Sequence, residues 1–402
     1  MRAPLALPQQ ALWLAYQLNP SNPASNRPVF LQLEGPLHRE SLRRGVQQIQ
    51  SRHQTLRTVF GSGGGDPVQV IQPASEIPWL EADLSGLSAE SQQQEAQQRL
   101  RDEALRPFDL EQGPLLRGLL LRLSPERHLL GLFTHHIVFD GWSERVLIRE
   151  LKELYAAFAE NRPAQLPELP IQYADFAAWQ AERLARGELE AQADYWRRQL
   201  SGAPSAALPG ARITRSLQDA PAAVCRLEIP PELTRQVREF SRRERVTPFM
   251  TLFAAFQLLL ARYAGKDDIL TGIPAAGRSQ LETEPLIGCF MNLLPIRTRF
   301  REAMSGRELL SEVRQAVLDA FSNQEVPLST AAKFLQTREN PRRLHVLQTM
   351  FQLRNLPDAG APEAAGLRFE PYPLDTGVLD AADLSLEVLP QGEALLCRLH
   401  FV

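Results

Sequence analysis

The sequence predicts an α/β protein built from two lobes of similar size, and three observations carry this prediction. The chain has 402 residues, which is long enough for two sizeable cores. Helical and strand patterns are mixed in each half of the chain. A stretch rich in Ser, Pro, Gly and Ala, residues 201–211, divides the chain near its middle and is typical of a linker.

The first half contains segments whose apolar spacing identifies helices and strands. In residues 38–53, Leu42, Val46 and Ile49 recur at helical spacing. The glycine-rich stretch 61–66 lacks the Lys-Ser/Thr ending of phosphate-binding loops, so we interpret it as a hairpin connection. Further along, two apolar segments predict strands joined by a turn and two amphipathic segments predict helical structure: strands at 115–123 and 127–136, helices at 143–160 and within 173–199.

The second half continues with the same mixture of patterns. The segments predicted as strands are 225–229, 268–278 (running into a glycine turn), 344–353, 383–389 and 394–402. The segments predicted as helices are 231–244, 247–264 and 305–321. The last helix begins with a capping box formed by Ser305 and Glu308, and its Leu310, Val313 and Val317 share one face.

Composition and charge exclude several classes of protein. The formal net charge of -3 is near balance, which argues against a nucleic-acid-binding face or a membrane-surface patch. Cys225, Cys289 and Cys397 are widely spaced, which fits neither a metal site nor a disulfide framework and indicates a reducing compartment. The N-terminus lacks a signal-peptide pattern, and no stretch reaches the length of a membrane span. We therefore expect a cytoplasmic protein without a bound metal.

The stretch FTHHIVFDGWS, residues 133–143, places polar side chains in an apolar context. If the predicted strand persists to residue 136, His135 and His136 point to opposite faces, which makes them a poor metal pair. A buried unpaired carboxylate is costly, so we expect a cationic partner for Asp140, ideally an arginine. Gly141 allows a ligand to approach the backbone and can offer its N–H to a developing oxyanion. These residues alone leave a catalytic and a structural histidine equally open.

HHIVFDG matches the HHxxxDG signature of condensation domains of nonribosomal peptide synthetases, and other segments resemble motifs of that family in the family's order. The matching segments are LPQQALWLAYQL (7–18), SRHQTLRTVF (51–60), YADFAAWQ (173–180), IGCFMNLLPIR (287–297), NQEVPL (323–328) and a blurred arginine-rich motif within 339–355. One departure is Gln54, where the family usually has glutamate. An ordered set of motifs is far more specific than any one of them, so the chain is identified as resembling this family.

The resemblance implies two chloramphenicol-acetyltransferase-like lobes arranged in a V with the active site at their interface: an N-terminal lobe at 1–180 and a C-terminal lobe at 181–402. It implies amide formation between an upstream acyl or peptidyl thioester and the amine of a downstream aminoacyl thioester. Partner carrier domains would deliver both on phosphopantetheine arms, with an adenylation domain as a neighbour, and the chain itself would bind no cofactor. The C-terminal end is short for the family, so we expect the parent protein to continue beyond residue 402.

The resemblance also implies roles for individual residues. His136 would accept a proton from the attacking amine, or orient that amine and stabilise the tetrahedral species, and Gly141 belongs to the same catalytic group. His135 and Asp140 would be structural, with Arg278 as the first choice of salt-bridge partner for Asp140 and Arg57 as the second. The remaining candidates have two possible roles each. Trp142 would pack the helix start and Ser143 would cap that helix, with substrate contact as the alternative. Asn292 and Asn355 would line a tunnel, with a purely structural role as the alternative.

Other functions share parts of this pattern. An epimerisation domain carries the same signature but inverts a Cα centre, and DGWS and the opening motif resemble condensation domains more. A cyclisation domain would replace the signature histidines with aspartate. A degenerate domain that only recruits another enzyme would lose the second histidine or the glycine, and both are present here. A free-standing acyltransferase that uses coenzyme A or a carrier-bound donor with a soluble amine stays open.

Overall fold

The structure is a computed structural model, and it describes residues 1–62, 65–203, 223–331, 347–354, 363–376 and 382–401. Within these ranges the chain forms two compact units, each of mixed α/β structure, so the predicted fold class is confirmed. In their described parts, the first unit comprises residues 1–186, 278–291 and 357–378, and the second comprises 187–277, 292–356 and 379–402. These units are discontinuous in sequence, whereas the sequence predicts continuous domains at 1–180 and 181–402.

Helices and strands follow one another along the described chain. The helices are α1 (Leu7–Leu18), α2 (Arg39–Arg52), α3 (Ala89–Leu105), α4 (Gly141–Ala159), α5 (Tyr173–Ala185), α6 (Glu190–Leu200), α7 (Pro231–Arg243), α8 (Pro248–Ala264), α9 (Gly306–Ser322) and α10 (Leu328–Ala331). The strands are β1 (Arg2–Pro4), β2 (Asn26–Glu34), β3 (Thr58–Ser62), β4 (Pro67–Ile71), β5 (Trp79–Asp83), β6 (Leu116–Ser124), β7 (Arg127–His135), β8 (Ala223–Ile229), β9 (Asp268–Ala275), β10 (Asn292–Arg299), β11 (Thr349–Leu353), β12 (Glu363–Ala364), β13 (Leu367–Pro371), β14 (Leu384–Gln391) and β15 (Ala394–Phe401).

The first unit is built on a sheet whose described strands lie in the order β12-β13-β2-β7-β6-β5, with a small sheet β1-β4-β3 beside it. Strand β7 pairs antiparallel with both β2 and β6, so its carboxyl end is held from two sides. Its Leu129, Leu130 and Leu132 are buried on alternating faces, as expected of a central strand covered on both sides. After a short 3₁₀ turn, helix α4 buries Leu147 and Leu151 in the same core. This arrangement fixes the position of the chain where β7 ends.

The second unit is built on a sheet whose described strands lie in the order β10-β9-β11-β14-β15-β8. Helix α8 packs its Phe249 and Phe253 against Phe351 of β11, with ring centroids 5.4 Å apart in both pairs. Helix α9 begins at the predicted capping box, because Ser305 accepts from the Glu308 N–H and Glu308 accepts from the Ser305 N–H.

Most predicted elements are present, with ends that differ by a few residues. The glycine-rich connection at 61–66 joins the antiparallel strands β3 and β4, as predicted, although residues 63–64 lie outside the described residues. Residues 204–211 of the predicted linker and most of the arginine-rich motif at 339–355 also lie outside them. Helix α3 was not predicted, because its buried face consists only of Ala96, Leu100 and Ala104 in a glutamine-rich segment.

In the described ranges, no single helix has both the length and the apolar character needed to cross a membrane. Helices α7 and α8 meet that requirement only when they are counted together, and they are bent by 104° relative to each other.

Candidate active site

His136 lies in a 3₁₀ turn, His136–Val138, that directly follows strand β7. The strand ends at His135, so the expectation that both histidines sit on one strand and face opposite sides does not apply. The His136 Nδ1 atom lies 2.7 Å from the Phe139 carbonyl oxygen. A carbonyl only accepts, so Nδ1 carries the proton and Nε2 keeps its lone pair. The turn therefore presents an imidazole in one defined tautomer.

The surroundings of His136 favour its neutral form. Burial lowers the pKa of His136 to about 4, and the positive charge of Arg27 on the neighbouring strand β2 acts in the same direction. The thiol of Cys289 lies 3.8 Å from Nδ1, and burial raises the pKa of that thiol well above its ordinary value. At neutral pH the ring is therefore uncharged, with a thiol and not a thiolate beside it.

His135 supports the turn that carries His136. Its Nδ1 accepts a hydrogen bond from the Ile137 N–H at 3.1 Å, which requires an unprotonated Nδ1. Burial lowers the pKa of His135 to about 3, with further contributions from His136 and Arg27, so this acceptor is available at neutral pH. Among the described residues, no group of three or more His, Cys, Asp or Glu side chains is placed to hold a metal ion.

Asp140 is a buried carboxylate at the start of helix α4. Its Oδ1 accepts from the Ser143 N–H at 2.8 Å and from the Ser143 hydroxyl at 2.7 Å, which makes Asp140 the N-cap of the helix. Its Oδ2 accepts from the Phe290 N–H at 3.0 Å. Arg278 Nη2 lies 3.1 Å from Oδ1 and 3.3 Å from Oδ2, and both side chains are nearly inaccessible, at 1% and 2% exposure. The ion pair with Arg278 is therefore present, within the first unit.

Arg278 connects its own segment to the start of helix α4. Its Nη1 donates to the carbonyl groups of Thr283 and Leu286, and its guanidinium lies 4.0 Å from the Phe290 ring centre. Burial lowers the pKa of Arg278, while Asp140 opposes that shift. The segment 278–291 is thus organised around one arginine that is charge-matched by Asp140.

Ser143 and Trp142 make their contacts with this same segment. The Ser143 hydroxyl lies 3.0 Å from the Gly288 nitrogen and 2.9 Å from the Gly288 oxygen, and Ser143 is fully buried. The expectation that Ser143 caps α4 is wrong, because Asp140 occupies the capping position. The Trp142 indole N–H donates to the Glu284 carbonyl at 2.9 Å, and Arg145 stacks over the indole at 4.7 Å.

Gly141 is the first residue of α4, and it is exposed. A Cβ added there would meet no atom within 4 Å, and its φ lies outside the left-handed region. Neither crowding nor conformation in the described part of the chain explains a glycine at this position. An N–H in the first helical turn has no intrahelical acceptor, so the Gly141 N–H can donate a hydrogen bond to a ligand.

The other three candidates from the sequence have separate outcomes. Arg57 donates to the Gln72 carbonyl and is not the partner of Asp140. Asn292 belongs to the second unit, where its amide donates to the Gln324 and Val326 carbonyls at 2.7 Å and its oxygen accepts from two backbone N–H groups. Asn355 lies outside the described residues.

The structure adds groups that the sequence did not single out. His53 and Arg52, both from the segment SRHQTLRTVF, contact Glu150 of α4, with His53 Nε2 2.9 Å from the carboxylate. The other ring nitrogen of His53 accepts from the Ile287 N–H at 3.3 Å, which provides a second anchor for the segment 278–291. The matching segment contains His53, but its partner could not be found without coordinates, because Glu150 is 97 residues away.

Comparison with known proteins matches nearly the whole chain to one family. The family model for the condensation domain matches residues 2–402. A linear gramicidin synthase of Brevibacillus parabrevis is 39% identical over 400 residues, which cover 99% of this chain and 5% of that protein. The chain thus spans a small fraction of the length of this relative.

Solved structures give the same fold. The first condensation domain of the calcium-dependent antibiotic synthetase, in complex with a substrate analogue, superimposes with a TM-score of 0.83 at 22% identity, covering 100% of this chain and 91% of that one. The X-domain from teicoplanin biosynthesis gives a TM-score of 0.84 at 24% identity, covering 100% and 89%. These likenesses confirm the predicted acetyltransferase-like α/β fold.

Proposed function

The chain belongs to the condensation-domain family, and we propose that it forms the amide bond between a donor acyl or peptidyl thioester and the amine of an acceptor aminoacyl thioester in nonribosomal peptide synthesis. The observation that supports this most directly is the neutral ring of His136, whose Nδ1 is tied to Phe139 and whose Nε2 keeps its lone pair. An acceptor of this kind is what an attacking amine requires. Asp140, Arg278 and Ser143 hold the turn and the helix start in place.

In the proposed reaction the amine nitrogen attacks the thioester carbonyl while one N–H donates to Nε2 of His136. The C–N bond forms, the proton moves to the ring, and the C–S bond breaks. Burial disfavours the resulting imidazolium, since it lowers the pKa of His136 to about 4, so the ring returns the proton to the departing thiolate. General-base catalysis of this type contributes about 10²–10⁴-fold in rate, and positioning of the reactants contributes further.

We assign Gly141 to the substrate side of the site. Its Cα faces open space and its N–H lies in the first turn of α4. A backbone without a side chain allows the thioester to approach closely, and the N–H can stabilise the charge that develops on the carbonyl oxygen.

The proposed partners are an upstream donor and a downstream acceptor carrier domain that present their substrates on phosphopantetheine arms, with an adenylation domain as a neighbour. The chain itself needs no bound cofactor for this reaction, because both substrates arrive covalently attached to partners. We propose that it works in the cytoplasm as part of a synthetase.

The experiment compares His136→Ala and Gly141→Ala with the wild-type chain, using donor and acceptor carriers loaded with a panel of L-aminoacyl groups and mass spectrometry of the products. We expect both variants to fold and to lose most amide formation. Gly141→Ala should keep the wild-type melting temperature, because its new Cβ meets no atom within 4 Å.

Two controls match these variants. His128→Ala removes a buried histidine of strand β7, which ends directly before His136, and Gly306→Ala changes another first-turn glycine with open space around it. Both controls should retain turnover. Near-native turnover in His136→Ala would refute the assignment, and racemisation of a donor loaded without any acceptor would instead indicate epimerisation.

A further inference from the structure

Gln9 is a fully buried amide at the start of helix α1, to which the proposed reaction gives no role. Its Nε2 lies 3.0 Å from the carbonyl oxygen of Ile137, the residue that follows His136. The two residues are 128 positions apart in sequence, and both belong to the first unit. Gln9 therefore brings the N-terminal helix into contact with the turn that carries the imidazole.

Backbone groups fix the direction of this hydrogen bond. The Ala6 N–H donates to Gln9 Oε1 at 3.0 Å, so the amide nitrogen of Gln9 must face the other way. That nitrogen also lies 3.3 Å from Gln69 Oε1, and Gln69 Nε2 donates to the Pro4 carbonyl at 2.8 Å. Neither glutamine can be flipped without breaking a bond to a backbone group.

The backbone around Ile137 is held at two points. The N–H donates to His135 and the carbonyl accepts from Gln9. The Ile137–Val138 peptide lies between His136 and Phe139, whose carbonyl orients the His136 ring at 2.7 Å. Rotation of that peptide would move the Phe139 carbonyl away from Nδ1.

We propose that Gln9 is a positioning residue for His136 and acts through the carbonyl of Ile137, with Gln69 orienting Gln9. The inference rests on the proposed function of His136. Gln9 is fully buried and cannot touch substrate, so its effect falls on the catalytic step and not on substrate binding. Without its donor, the buried Ile137 carbonyl loses its partner, and the peptide must rotate or admit water.

The test is Gln9→Met in the full chain, which keeps the approximate size of the side chain and removes the amide. We expect kcat to fall by about 10- to 100-fold and KM to stay within about twofold, because small misplacements of a catalytic group have effects of this size. Nitrogen-15 spectra of the histidine rings should show a single Nδ1–H tautomer for His136 in the wild type and a mixture in the variant. Gln69→Met should lower kcat less, because Gln9 keeps its bond to Ile137.

Gln257→Met is the matched control. Gln257 is also fully buried, and it donates to the Ile296 carbonyl at 3.4 Å and accepts from Thr298, all in the second unit. We expect a similar loss of stability with unchanged kcat and an unchanged His136 tautomer. If Gln9→Met is recovered unfolded, Gln9→Asn, which keeps the amide but shortens its reach, is measured in its place under the same criteria.

Wild-type kcat together with a single tautomer in the Gln9 variant would overturn the proposal. An equal fall of kcat in Gln257→Met would overturn it as well, since the effect would then be general destabilisation. The ring spectra need no substrate, so they judge Gln9 even if the wild-type chain forms no amide and the proposed function fails.

Discussion

His136 is kept neutral by burial and by a nearby positive charge, with no carboxylate directly contacting its ring in the described structure. His135 is neutral for the same reasons, and its role as acceptor for the Ile137 N–H depends on that state. Protonating either ring would place a charge among apolar groups, and protonating His135 would also break the hydrogen bond to the turn.

We therefore predict that His136 and His135 titrate with midpoints near pH 4 and pH 3 in nitrogen-15 spectra of the folded chain. Both folded pKa values lie below the unfolded value of about 6.5, so the unfolded chain binds more protons below that pH. Stability should accordingly rise from pH 4 to pH 6.5, and each ring should cost on the order of 2 kcal/mol at pH 5. A His136 midpoint near 6.5, or equal unfolding free energies at pH 5 and 7, would contradict this.

Sequence analysis identified His136, Asp140 and Arg278 as site residues, but it did not identify Gln9 or Cys289. His136 and Asp140 lie within one short segment, and a buried carboxylate demands a cation, so an arginine was expected, with Arg278 as the first of two candidates. Gln9 and Cys289 offered no comparable demand, because a glutamine and a thiol are common in many environments. Their proximity to the His136 turn depends on tertiary contacts across 128 and 153 positions.

At the scale of single elements, the start of α4 shows how one carboxylate serves two purposes. Asp140 caps the helix through the Ser143 N–H and also neutralises Arg278 from the segment 278–291. The sequence favoured Ser143 as the cap because the helical pattern begins there. The helix instead starts at Gly141. The sequence did not reveal this start, because a glycine and a tryptophan carry no periodic signal although they belong to the first turn.

We predict that Asp140→Ala destabilises the chain by about 3–5 kcal/mol, because it leaves the buried Arg278 guanidinium without its counter-charge. Ser305→Ala is the matched control, since it removes the N-cap of α9 at an exposed site without any buried ion pair, and it should cost about 1 kcal/mol. Denaturant unfolding of both variants measures the difference. Equal losses would mean that Asp140 acts only as a helix cap.

At the scale of the whole chain, the first unit is assembled from three separate stretches of sequence. Residues 278–291 bring Arg278, Gly288 and Phe290 to the start of α4, and β13 pairs with the edge of β2 through Leu367–Pro371. Apolar periodicity identifies elements but carries no information about which distant segment returns to which unit. A division at residue 180 follows from the linear pattern, but it does not show that residues 278–291 and strand β13 belong to the first unit.

We therefore predict that residues 1–186, produced alone, unfold without a cooperative transition and bind a hydrophobic dye, because Asp140 and Ser143 lose their partners and the edge of β2 is left unpaired. A synthetic peptide of residues 278–291 should restore a cooperative transition whose midpoint rises as the peptide concentration is increased, as expected of a ligand that binds only the folded form. The same peptide with Arg278→Ala should have little effect, since it cannot neutralise Asp140. A fragment that melts as sharply as the full chain, without added peptide, would show that the returning segments are dispensable for folding and that the first unit is specified by its N-terminal stretch alone.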